Sequence, residues 1–388
     1  MIGDRGIPAR YSGFSTLVEN LAVRLVREHD MDVTVYCRRH YFNERPRDYR
    51  GVRCVYLPAP ALKSFESIVH SGLSFLHATL QSFDVAFVVD PGNAPYSFPL
   101  QLARVPAVFH TDGLGWKRSK WSPMQQRYYK WAERVCARRA TWLITDSRAM
   151  QAYYLSEYGA PSTFIPYSGA SDVAGSDKAL RRSGARPGDY YLVVARLEPE
   201  NNVQFIVREF KRSSSSRPLI VVGGAQYESD YAKRLLAEAD DRVIFLGPTY
   251  DTAELNHLYA NCYAYVHGHS VGGTNPSLLR AMEAGAACVP IDVVFHREVL
   301  GEEGVFFPDE DGALAALIDR LDVEKNAVQR MGDAARERAR SLYRWDAVAA
   351  AYAEVIRVLD SARRNRVSVA SVLRNREVYR PLDFANEA

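Results

Sequence analysis

The stretch from 263 to 289 combines the residue types of an anion-binding turn. An apolar run leads into Gly272 and Gly273, and a helical pattern begins behind Thr274 or Asn275, either of which could cap the helix. Such a turn leaves backbone N–H groups unpaired and points the positive end of a helix dipole at one spot. The sequence therefore predicts an anion site, and phosphate is the anion that suits it best. The alternative is an ordinary strand–turn–helix whose glycines only make the turn.

A second polar group follows the apolar run 190–194. Arg196 comes first, and Asn201 stands five residues later. A guanidinium can stabilise a phosphate through charge-assisted hydrogen bonds, and an asparagine amide can donate one hydrogen bond without charge. The alternative for Arg196 is an ordinary ion pair with Glu198 or Glu200.

Polar side chains also follow the apolar strand patterns of the first half of the chain. Asp90, Asn93, His110 and Asp112 stand at such strand ends, and the ligands of a parallel sheet gather at the carboxyl ends of its strands. His110 and Asp112 are therefore candidate site residues. A lone histidine behind a strand is more often structural, which is the alternative for His110.

Glycines punctuate the start of the chain at Gly3, Gly6 and Gly13, and a helical pattern follows from Phe14. This pattern predicts a glycine loop, with a surface turn that binds nothing as the alternative. A Rossmann half should open with a buried apolar strand, and none precedes this loop. Either the true start lies upstream or the first sheet lacks a central strand.

Length and composition predict a two-domain globular protein. The chain has 388 residues, 47% of them hydrophobic, and no apolar run approaches the roughly eighteen residues of a membrane span. Nothing at the N-terminus argues for export. The five cysteines are scattered and form no CxxC pair, which is typical of reduced thiols in a cytoplasmic protein and gives no indication of zinc.

The net charge is only +3, but the segment 116–139 is basic and rich in aromatic residues. It contains eight lysines and arginines and one acidic residue, Glu133. Such a helix can lie on an anionic membrane surface or hold polyphosphates. The alternative is a solvated helix whose aromatic side chains pack inward. No nucleic-acid recognition motif accompanies the charge, so we predict no nucleic-acid partner.

Short apolar runs alternate with helical patterns, which predicts an α/β fold with mostly parallel sheets. The predicted strands are 33–37, 52–57, 85–89, 107–109, 142–145, 163–166, 190–194, 219–222, 243–246, 262–266, 287–291 and 305–307. The main predicted helices are those from Phe14, at 65–80, at 148–158, and at 314–359 with a break near Trp345. We divide the chain into a first domain at 1–167, a linker at 168–189, a second domain at 190–344, and a helix with a polar tail at 345–388.

Three motifs of this chain resemble retaining glycosyltransferases of family 4, and more narrowly their rhamnosyltransferase-like branch. They are His-Gly-His-Ser-Val-Gly-Gly-Thr-Asn-Pro-Ser-Leu-Leu at 267–279, His-Thr-Asp-Gly at 110–113 and Ala-Arg-Leu-Glu-Pro-Glu-Asn-Asn at 195–202. The resemblance loosely covers the chain from Gly3 to about residue 350. It implies the GT-B fold, in which two Rossmann-like domains face each other across a cleft and a C-terminal helix crosses back to the N-terminal domain.

The resemblance also implies roles for individual residues. Asp112 and His110 would hydrogen-bond the reacting sugar or the acceptor, and Arg196 would steady the leaving diphosphate together with the turn backbone. Asn201 takes the place of a lysine in the wider class. The remaining implied donor-binding residues are Gly3, Gly6, Gly13, His269, Gly272, Gly273, Thr274 and Asn275.

In the family that this chain resembles, the stretch formed by the turn and the helix behind it binds the donor and has two acidic positions eight residues apart. The corresponding stretch here, from Gly272 onward, departs from that pattern. These positions hold Gly272 and Arg280 here, and a guanidinium cannot accept the ribose hydrogen bonds that a carboxylate would. Glu283 could accept them instead, Arg280 could contact a phosphate and change nucleotide preference, or the chain could be a weak or inactive transferase. The glycine loop departs too, at Ser12 and Ser15.

The resemblance implies retaining transfer from a nucleotide-diphosphate sugar with no protein nucleophile, no metal and no other cofactor. The sugar would be rhamnose or another hexose, and the acceptor a saccharide, lipid-linked, at the inner face of the plasma membrane, in cell-surface polysaccharide synthesis. The alternatives are a sugar-nucleotide epimerase or phosphorylase on the same scaffold, and a non-catalytic protein that binds nucleotide or saccharide.

Overall fold

The computed structural model describes residues 1–9, 13–60, 66–118, 121–171, 173–224, 230–302 and 304–365. The chain divides into two compact units. Unit 1 comprises 1–116, 123–167 and the chain from 345 onward, and unit 2 comprises 117–122 and 168–344. The short segment 117–122 therefore groups with unit 2, although the sequence places it in the first domain.

The first half of the chain alternates strands with helices, as predicted from its apolar runs. A further 3-10 helix at Pro91–Ser97 follows the fourth strand. The elements are α1 (Gly13–His29), β1 (Thr34–Arg38), β2 (Asp48–Tyr49), β3 (Val52–Leu57), α2 (Glu66–Thr79), β4 (Ala86–Val89), α3 (Phe98–Leu102), β5 (Ala107–Thr111), α4 (Pro123–Arg139), β6 (Trp142–Thr145), α5 (Arg148–Tyr158) and β7 (Thr163–Phe164).

Unit 1 contains two groups of strands, β1-β3-β2 and the parallel β4-β5-β6-β7. Ile2 lies between them: it pairs in parallel with Val88, and Val89 N donates to Ile2 O at 3.0 Å. On the other side, Tyr36 N donates to Met1 O at 3.1 Å. The first two residues thus occupy the position for which the sequence shows no apolar strand.

The second half of the chain has the same alternation. The segment 168–189, for which we predict a linker, contains a helix whose apolar residues Ala179 and Leu180 are buried. The elements are α6 (Lys178–Ser183), β8 (Tyr191–Val194), α7 (Val203–Arg212), β9 (Leu219–Val222), α8 (Asp230–Glu238), β10 (Val243–Gly247), α9 (Thr252–Asn261), β11 (Ala264–His267), α10 (Pro276–Ala284), β12 (Cys288–Pro290), α11 (Val294–Leu300), α12 (Ala313–Val323) and α13 (Lys325–Leu342).

Unit 2 is built on one parallel sheet in the order β10-β9-β8-β11-β12. Four of its five strands are buried along most of their length because helices cover both faces of such a sheet, whereas the edge strand β10 is mostly half-buried. The predicted strand at 305–307 is reduced to a single bridge between Ile291 and Phe307. Phe307 still joins the core of this unit.

The last described helix, α14 (Trp345–Arg364), returns to unit 1, as predicted for the C-terminal helix. It packs against α1, and Arg24 lies over the ring of Trp345 with 5.2 Å between guanidinium carbon and ring centroid. Buried residues such as Val348, Tyr352 and Leu359 face the unit. The predicted α/β fold with parallel sheets is confirmed.

Some predictions fall outside the described residues: the start of the helix at 65–80, Ser12, and the polar tail beyond Asn365. All five cysteines are free thiols. None of the helices in the described ranges is both long and apolar enough to span a bilayer.

Candidate functional site

The sheet of unit 2 reverses its strand order between β8 and β11. The chain proceeds from β8 to β9 and β10 on one side, and then crosses to β11 and β12 on the other. Open parallel sheets bind ligands at the carboxyl ends of the strands where such a reversal occurs. The loop after β8 carries Arg196, and the loop after β11 carries His269 and Gly272. The fold therefore brings two of the sequence motifs to one edge of one sheet.

The helix α10 begins directly behind the turn that follows β11. Asn275 is its N-cap, because its Oδ1 accepts from Ser277 N at 3.0 Å, and Pro276 is the first helical residue. The predicted cap at Asn275 is confirmed, whereas Thr274 is buried. A Cβ built on Gly272 meets nothing within 4 Å among the described residues outside its chain neighbours. The turn is thus open on this side, next to the positive end of the helix.

Arg196 leaves the end of β8 with 34% of its side chain exposed, and its Nη2 atom lies 3.7 Å from Glu198 Oε2. An ion pair that is long and partly solvated contributes little. A guanidinium has five N–H donors, so Arg196 retains the capacity to bind another anion.

Asn201 supports the loop that carries Arg196. Its Nδ2 donates to the backbone oxygen of Arg196 at 2.8 Å, and the residue is 3% exposed. The amide therefore closes a main-chain turn. We assign Asn201 this positioning role rather than the direct diphosphate contact that the resemblance implies.

The two loops are held to each other by backbone oxygens. Asn202 Nδ2 donates to Gly268 O at 2.8 Å, and Ser270 donates through both N and Oγ to Glu200 O at 3.1 Å. A Cβ on Gly268 would lie 2.4 Å from Asn201 O, so only glycine permits this approach. The distance between Arg196 and the turn before α10 is consequently fixed by the chain itself.

Three histidines lie behind the turn. The rings of His267 and His269 stack with centroids 4.4 Å apart, and His296 meets His267 edge-on at 4.8 Å. Burial lowers the pKa of all three, to about 3 for His269 and about 4 for His296. They are neutral at pH 7, which allows them to stand beside arginines.

His269 is the member of this group that can meet a ligand. After burial, electrostatic interactions with Arg196, His296 and Arg118 lower its pKa further. Its Nδ1 atom is enclosed and has no hydrogen-bond partner among the described residues. Enclosed polar atoms are normally paired, so a partner from outside the chain would fit here.

Arg118, which follows the His-Thr-Asp-Gly motif in the chain, lies near the site although the sequence analysis assigns it no individual role. It belongs to the segment 117–122, which groups with unit 2, and its charge acts on His269. The sequence shows Arg118 only as part of a basic run, far from the second domain. A second cation therefore joins Arg196 near His269, where the chain has Asn201 in place of a lysine.

The helix α10 carries Arg280 and Glu283, the two charged residues for which the sequence analysis gives alternative roles. Glu283 Oε1 lies 3.5 Å from Arg340 Nε of α13, so its carboxylate already has a cationic partner. Arg280 lies one helical turn closer than Glu283 to the N-terminus of α10, and is therefore closer to the Gly272 turn. The backbone of Gly169 packs against this part of the helix, because a Cβ built on Gly169 would lie 2.3 Å from Arg280 N.

In unit 1, His110 has a structural environment. It is fully buried, with Nε2 3.1 Å from the Tyr167 hydroxyl and Nδ1 2.7 Å from the Tyr352 hydroxyl. Both ring nitrogens are therefore occupied, and burial lowers its pKa to about 3. His110 thereby links β5 to α14, and the sugar contact that the resemblance implies stays a prediction. Asp112, two residues on, is partly exposed and remains a candidate.

The glycine loop of unit 1 is shaped by packing. Gly3 and Gly6 have φ of 107° and 113°, and Cβ atoms there would lie 2.4 Å from Val89 O and 2.6 Å from Cys37. Buried Asp4 accepts from Gly6 N at 3.2 Å and from Ser15 Oγ at 2.9 Å. Both glycines and the departure at Ser15 thus have packing reasons, and Gly13 opens α1.

The basic segment 116–139 is only partly available for a partner. Lys130 Nζ is 2.5 Å from the Tyr153 hydroxyl and 2.9 Å from Glu157, and it lies over the ring of Trp116 at 4.9 Å. Glu133 is buried and accepts from the Tyr153 hydroxyl at 2.6 Å. Lys130 is therefore engaged in contacts within unit 1, although 29% of its side chain is exposed. Within the described ranges, no three His, Cys, Asp or Glu residues are grouped as metal ligands.

Comparison with solved structures gives the fold class, which is GT-B, with two Rossmann-like domains. Sucrose-phosphate synthase from Thermosynechococcus elongatus superposes with a TM-score of 0.76 at 19% identity, covering 90% of this chain and 94% of that one. Anabaena HepE in complex with UDP gives 0.70 at 16% identity, covering 90% and 98%. The same protein with UDP-glucose gives 0.71 at 16% identity, covering 90% and 97%.

Two family models match consecutive parts of the chain. Residues 1–170 match "Domain of unknown function (DUF1972)", and residues 188–322 match "Glycosyl transferases group 1". No curated protein sequence matches the chain. The second match contains the Arg196 loop and the whole turn before α10. Together with the fold, this match supports the interpretation of the chain as a GT-B glycosyltransferase.

Proposed function

We propose that this chain transfers a sugar from a nucleotide-diphosphate sugar to a saccharide acceptor, with retention of configuration. The observation that carries the proposal is the meeting of Arg196, the open turn at Gly272 and the neutral His269 where the strand order of unit 2 reverses. Backbone N–H groups and a guanidinium are the donors that a diphosphate requires. The match to "Glycosyl transferases group 1" over these residues supports the same reading.

The donor diphosphate would lie between Arg196 and the N-terminus of α10. The guanidinium and the backbone of Gly272, Gly273 and Thr274 would hold its oxygens, and their positive charge would stabilise the leaving group. His269 would give or take one hydrogen bond through Nδ1 without adding charge. Asn201 would act indirectly, by holding the Arg196 loop.

The chemical step needs no protein nucleophile. The bond between the anomeric carbon and the diphosphate oxygen breaks while the acceptor oxygen bonds to the same face of the sugar. The acceptor proton passes to the departing diphosphate. Positioning and electrostatic stabilisation then supply most of the rate enhancement, and Arg196 with the helix dipole takes the place that a metal ion would have. Asp112 remains our candidate for a hydrogen bond to the sugar.

Arg280 replaces the ribose-binding carboxylate expected at its position. We propose that it contacts a phosphate or ribose oxygen as a donor, because a guanidinium carries only N–H donors. UDP is the first nucleotide to test, because the HepE structures contain UDP and UDP-glucose. For the sugar and acceptor we retain rhamnose or another hexose and a lipid-linked saccharide of cell-surface polysaccharide synthesis, used at the cytoplasmic membrane face.

Calorimetric titration of the purified chain with UDP, GDP and dTDP tests the donor site. We expect saturable binding of one nucleotide and at least tenfold weaker binding by Arg196→Ala. Arg208→Ala is the matched control, since Arg208 belongs to the same unit and pairs with Asp311 at an exposed site. No binding of any nucleotide, or equal loss in both variants, would contradict the proposal.

A non-catalytic nucleotide-binding protein is the second candidate, and the cation at Arg280 favours it. Arg280→Glu distinguishes the two. If the site is an impaired transferase, restoring the carboxylate should raise turnover of a nucleotide sugar in the presence of acceptor saccharides. If neither form turns over any nucleotide sugar while both bind nucleotide, the non-catalytic function is the correct one.

A further inference from the structure

The helix α2 carries an unusual distribution of polar and apolar side chains. Its buried residues include the polar Glu66, His70, Ser71 and Ser74 beside Phe75 and Ala78, whereas a surface helix normally turns its apolar stripe inward. Apart from Ser67, the exposed residues of α2 and of the position just after it are aliphatic. They are Ile68 at 40%, Val69 at 36%, Leu73 at 36%, Leu76 at 55% and Leu80 at 76% exposure.

Polar contacts hold this helix to unit 1. Glu66 Oε1 pairs with Arg38 Nη1 at 2.5 Å, and Ser71 Oγ donates to Asn93 Oδ1 at 2.6 Å. The helix is therefore docked through polar contacts together with Phe75 and Ala78, while Leu76 and Leu80 remain more than half exposed. A row of exposed aliphatic side chains of this extent marks an interaction surface.

The apolar surface continues onto α3, which packs beside α2. Phe98 and Leu102 of α3 are 50% and 71% exposed. We call the seven residues Ile68, Val69, Leu73, Leu76, Leu80, Phe98 and Leu102 the aliphatic face. Arg139 of α4 lies over the ring of Phe98 at 5.7 Å, so the basic helix borders this face directly.

The exposed charges on α2, α3 and α4 have one sign. Arg127, Arg134 and Arg138 are exposed on α4 at helical spacing, with Trp131 between them at 52% exposure and Met124 one turn before Arg127 at 79%. The only carboxylates on α2, α3 and α4 are Glu66 and Glu133, and both are buried. An exposed apolar surface bordered by arginines complements an anionic interface.

We propose that the aliphatic face binds the surface of an anionic lipid bilayer, with its leucines and Phe98 among the lipid chains and the arginines of α4 at the phosphates. A second copy of this chain fits less well, because a symmetric contact would bring the arginines of both copies together without acidic partners. The proposal does not depend on sugar transfer. It also moves the apolar contact away from the 116–139 segment that the sequence suggested, to α2 and α3.

Co-sedimentation of the full chain with vesicles tests the apolar part. Phosphatidylcholine vesicles with and without phosphatidylglycerol provide the comparison. We expect binding to the mixed vesicles and at least tenfold weaker binding by Leu76→Glu/Leu80→Glu. Leu155→Glu in unit 1, at 56% exposure, and Val323→Glu in unit 2, at 84%, are the controls and should bind as the wild type does.

The arginines of α4 are tested separately. Arg127→Gln/Arg134→Gln/Arg138→Gln should lose about fivefold in affinity per arginine and most of the preference for phosphatidylglycerol. The exposed arginines of unit 2 supply the charge-matched control, Arg181→Gln/Arg234→Gln/Arg320→Gln, which should change little. Equal losses in the two triple variants would mean that only net charge matters and would overturn the proposed face.

Two further outcomes would also overturn the proposal. Sedimentation velocity could reveal a dimer that Leu76→Glu/Leu80→Glu converts to a monomer, which would assign the face to a second copy. A chain shortened after Asn365 could bind vesicles while the full chain does not, which would assign the face to residues 366–388. Because vesicle binding and nucleotide binding are measured independently, failure of one leaves the other proposal intact.

Discussion

His110 and His269 stand at equivalent places in the two units, each in or just behind a parallel strand and each part of a sequence motif. The environments differ. Both ring nitrogens of His110 meet tyrosine hydroxyls, at 3.1 and 2.7 Å, in a fully buried position. His269 has an enclosed Nδ1 with no partner among the described residues, and arginine charges act on it.

The difference separates a histidine whose two ring nitrogens both have hydrogen-bond partners from one with a ring nitrogen that has no partner among the described residues. Both rings have a pKa lowered to about 3, mainly by burial, so the pKa alone does not distinguish them. The hydrogen-bond inventory does, because His110 has no remaining capacity and His269 has one nitrogen to offer. The comparison therefore separates a structural role, which His110 has in unit 1, from a ring nitrogen of His269 that the described residues of unit 2 leave without a partner.

Arg196→Ala should have the largest effect on function if unit 2 holds the diphosphate. Removing the guanidinium leaves the leaving group without its main side-chain cation, so kcat/KM should fall about 10²- to 10³-fold. Arg196→Lys should recover part of this, since a lysine restores charge but not the forked geometry. Initial rates with the nucleotide sugar found by calorimetry provide the measurement, and a loss below about tenfold would count against the assignment.

His110→Ala should damage stability instead. The substitution opens a buried cavity and leaves the hydroxyls of Tyr167 and Tyr352 without their partner, at a cost of about 3 kcal/mol in the free energy of unfolding. Urea titration followed by tryptophan fluorescence is suitable, because four of the five tryptophans, Trp116, Trp131, Trp142 and Trp345, lie in unit 1. Nucleotide affinity should be unchanged. A variant of wild-type stability that no longer transfers sugar would reverse our assignment.

Much of the fold was predictable from local patterns. The strand at 219–222 and the helix at 148–158 match their predictions because apolar runs and the Ser147 cap are local signals. The helix at 178–183 was missed because it is short and lies in a segment rich in serine and glycine. The strand at 305–307 was overpredicted, since an apolar run does not reveal whether a neighbour extends the pairing.

The candidate site was predictable in its turn and less so in its contacts. Asn275 as a cap follows from residue type and spacing. The role of His110 does not, because its partners stand 57 and 242 residues away in the chain. Arg118 was missed for the same reason, since the grouping of 117–122 with unit 2 depends on tertiary contacts. The contact between Glu283 and Arg340 was not predictable either, because Arg340 lies on another helix, and the role of Glu283 stays a prediction.

The acid sensitivity of unit 1 provides a further test of His110. Its pKa is about 3 in the folded chain and about 6.5 in the unfolded chain. The unfolded state therefore binds the extra proton between these values, and stability is lost as pH falls through this window. His110→Phe should reduce the slope of unfolding free energy against pH by about 1.4 kcal/mol per pH unit there. An unchanged slope in urea titrations from pH 7 to pH 4 would show that His110 is not buried neutral.

His269→Ala should have the smallest effect and is the sharpest contrast with His110→Ala. The ring keeps partial exposure and has no hydrogen bond at Nδ1 to lose, so the free energy of unfolding should fall by about 1 kcal/mol or less, mostly from the lost stacking on His267. Donor affinity should weaken about tenfold, the value of one hydrogen bond in an enclosed site. His269→Asn should restore part of the affinity, because its amide can again donate or accept. If His269→Ala instead destabilises the chain as strongly as His110→Ala and leaves nucleotide binding intact, both histidines are structural and Arg196 alone would hold the donor.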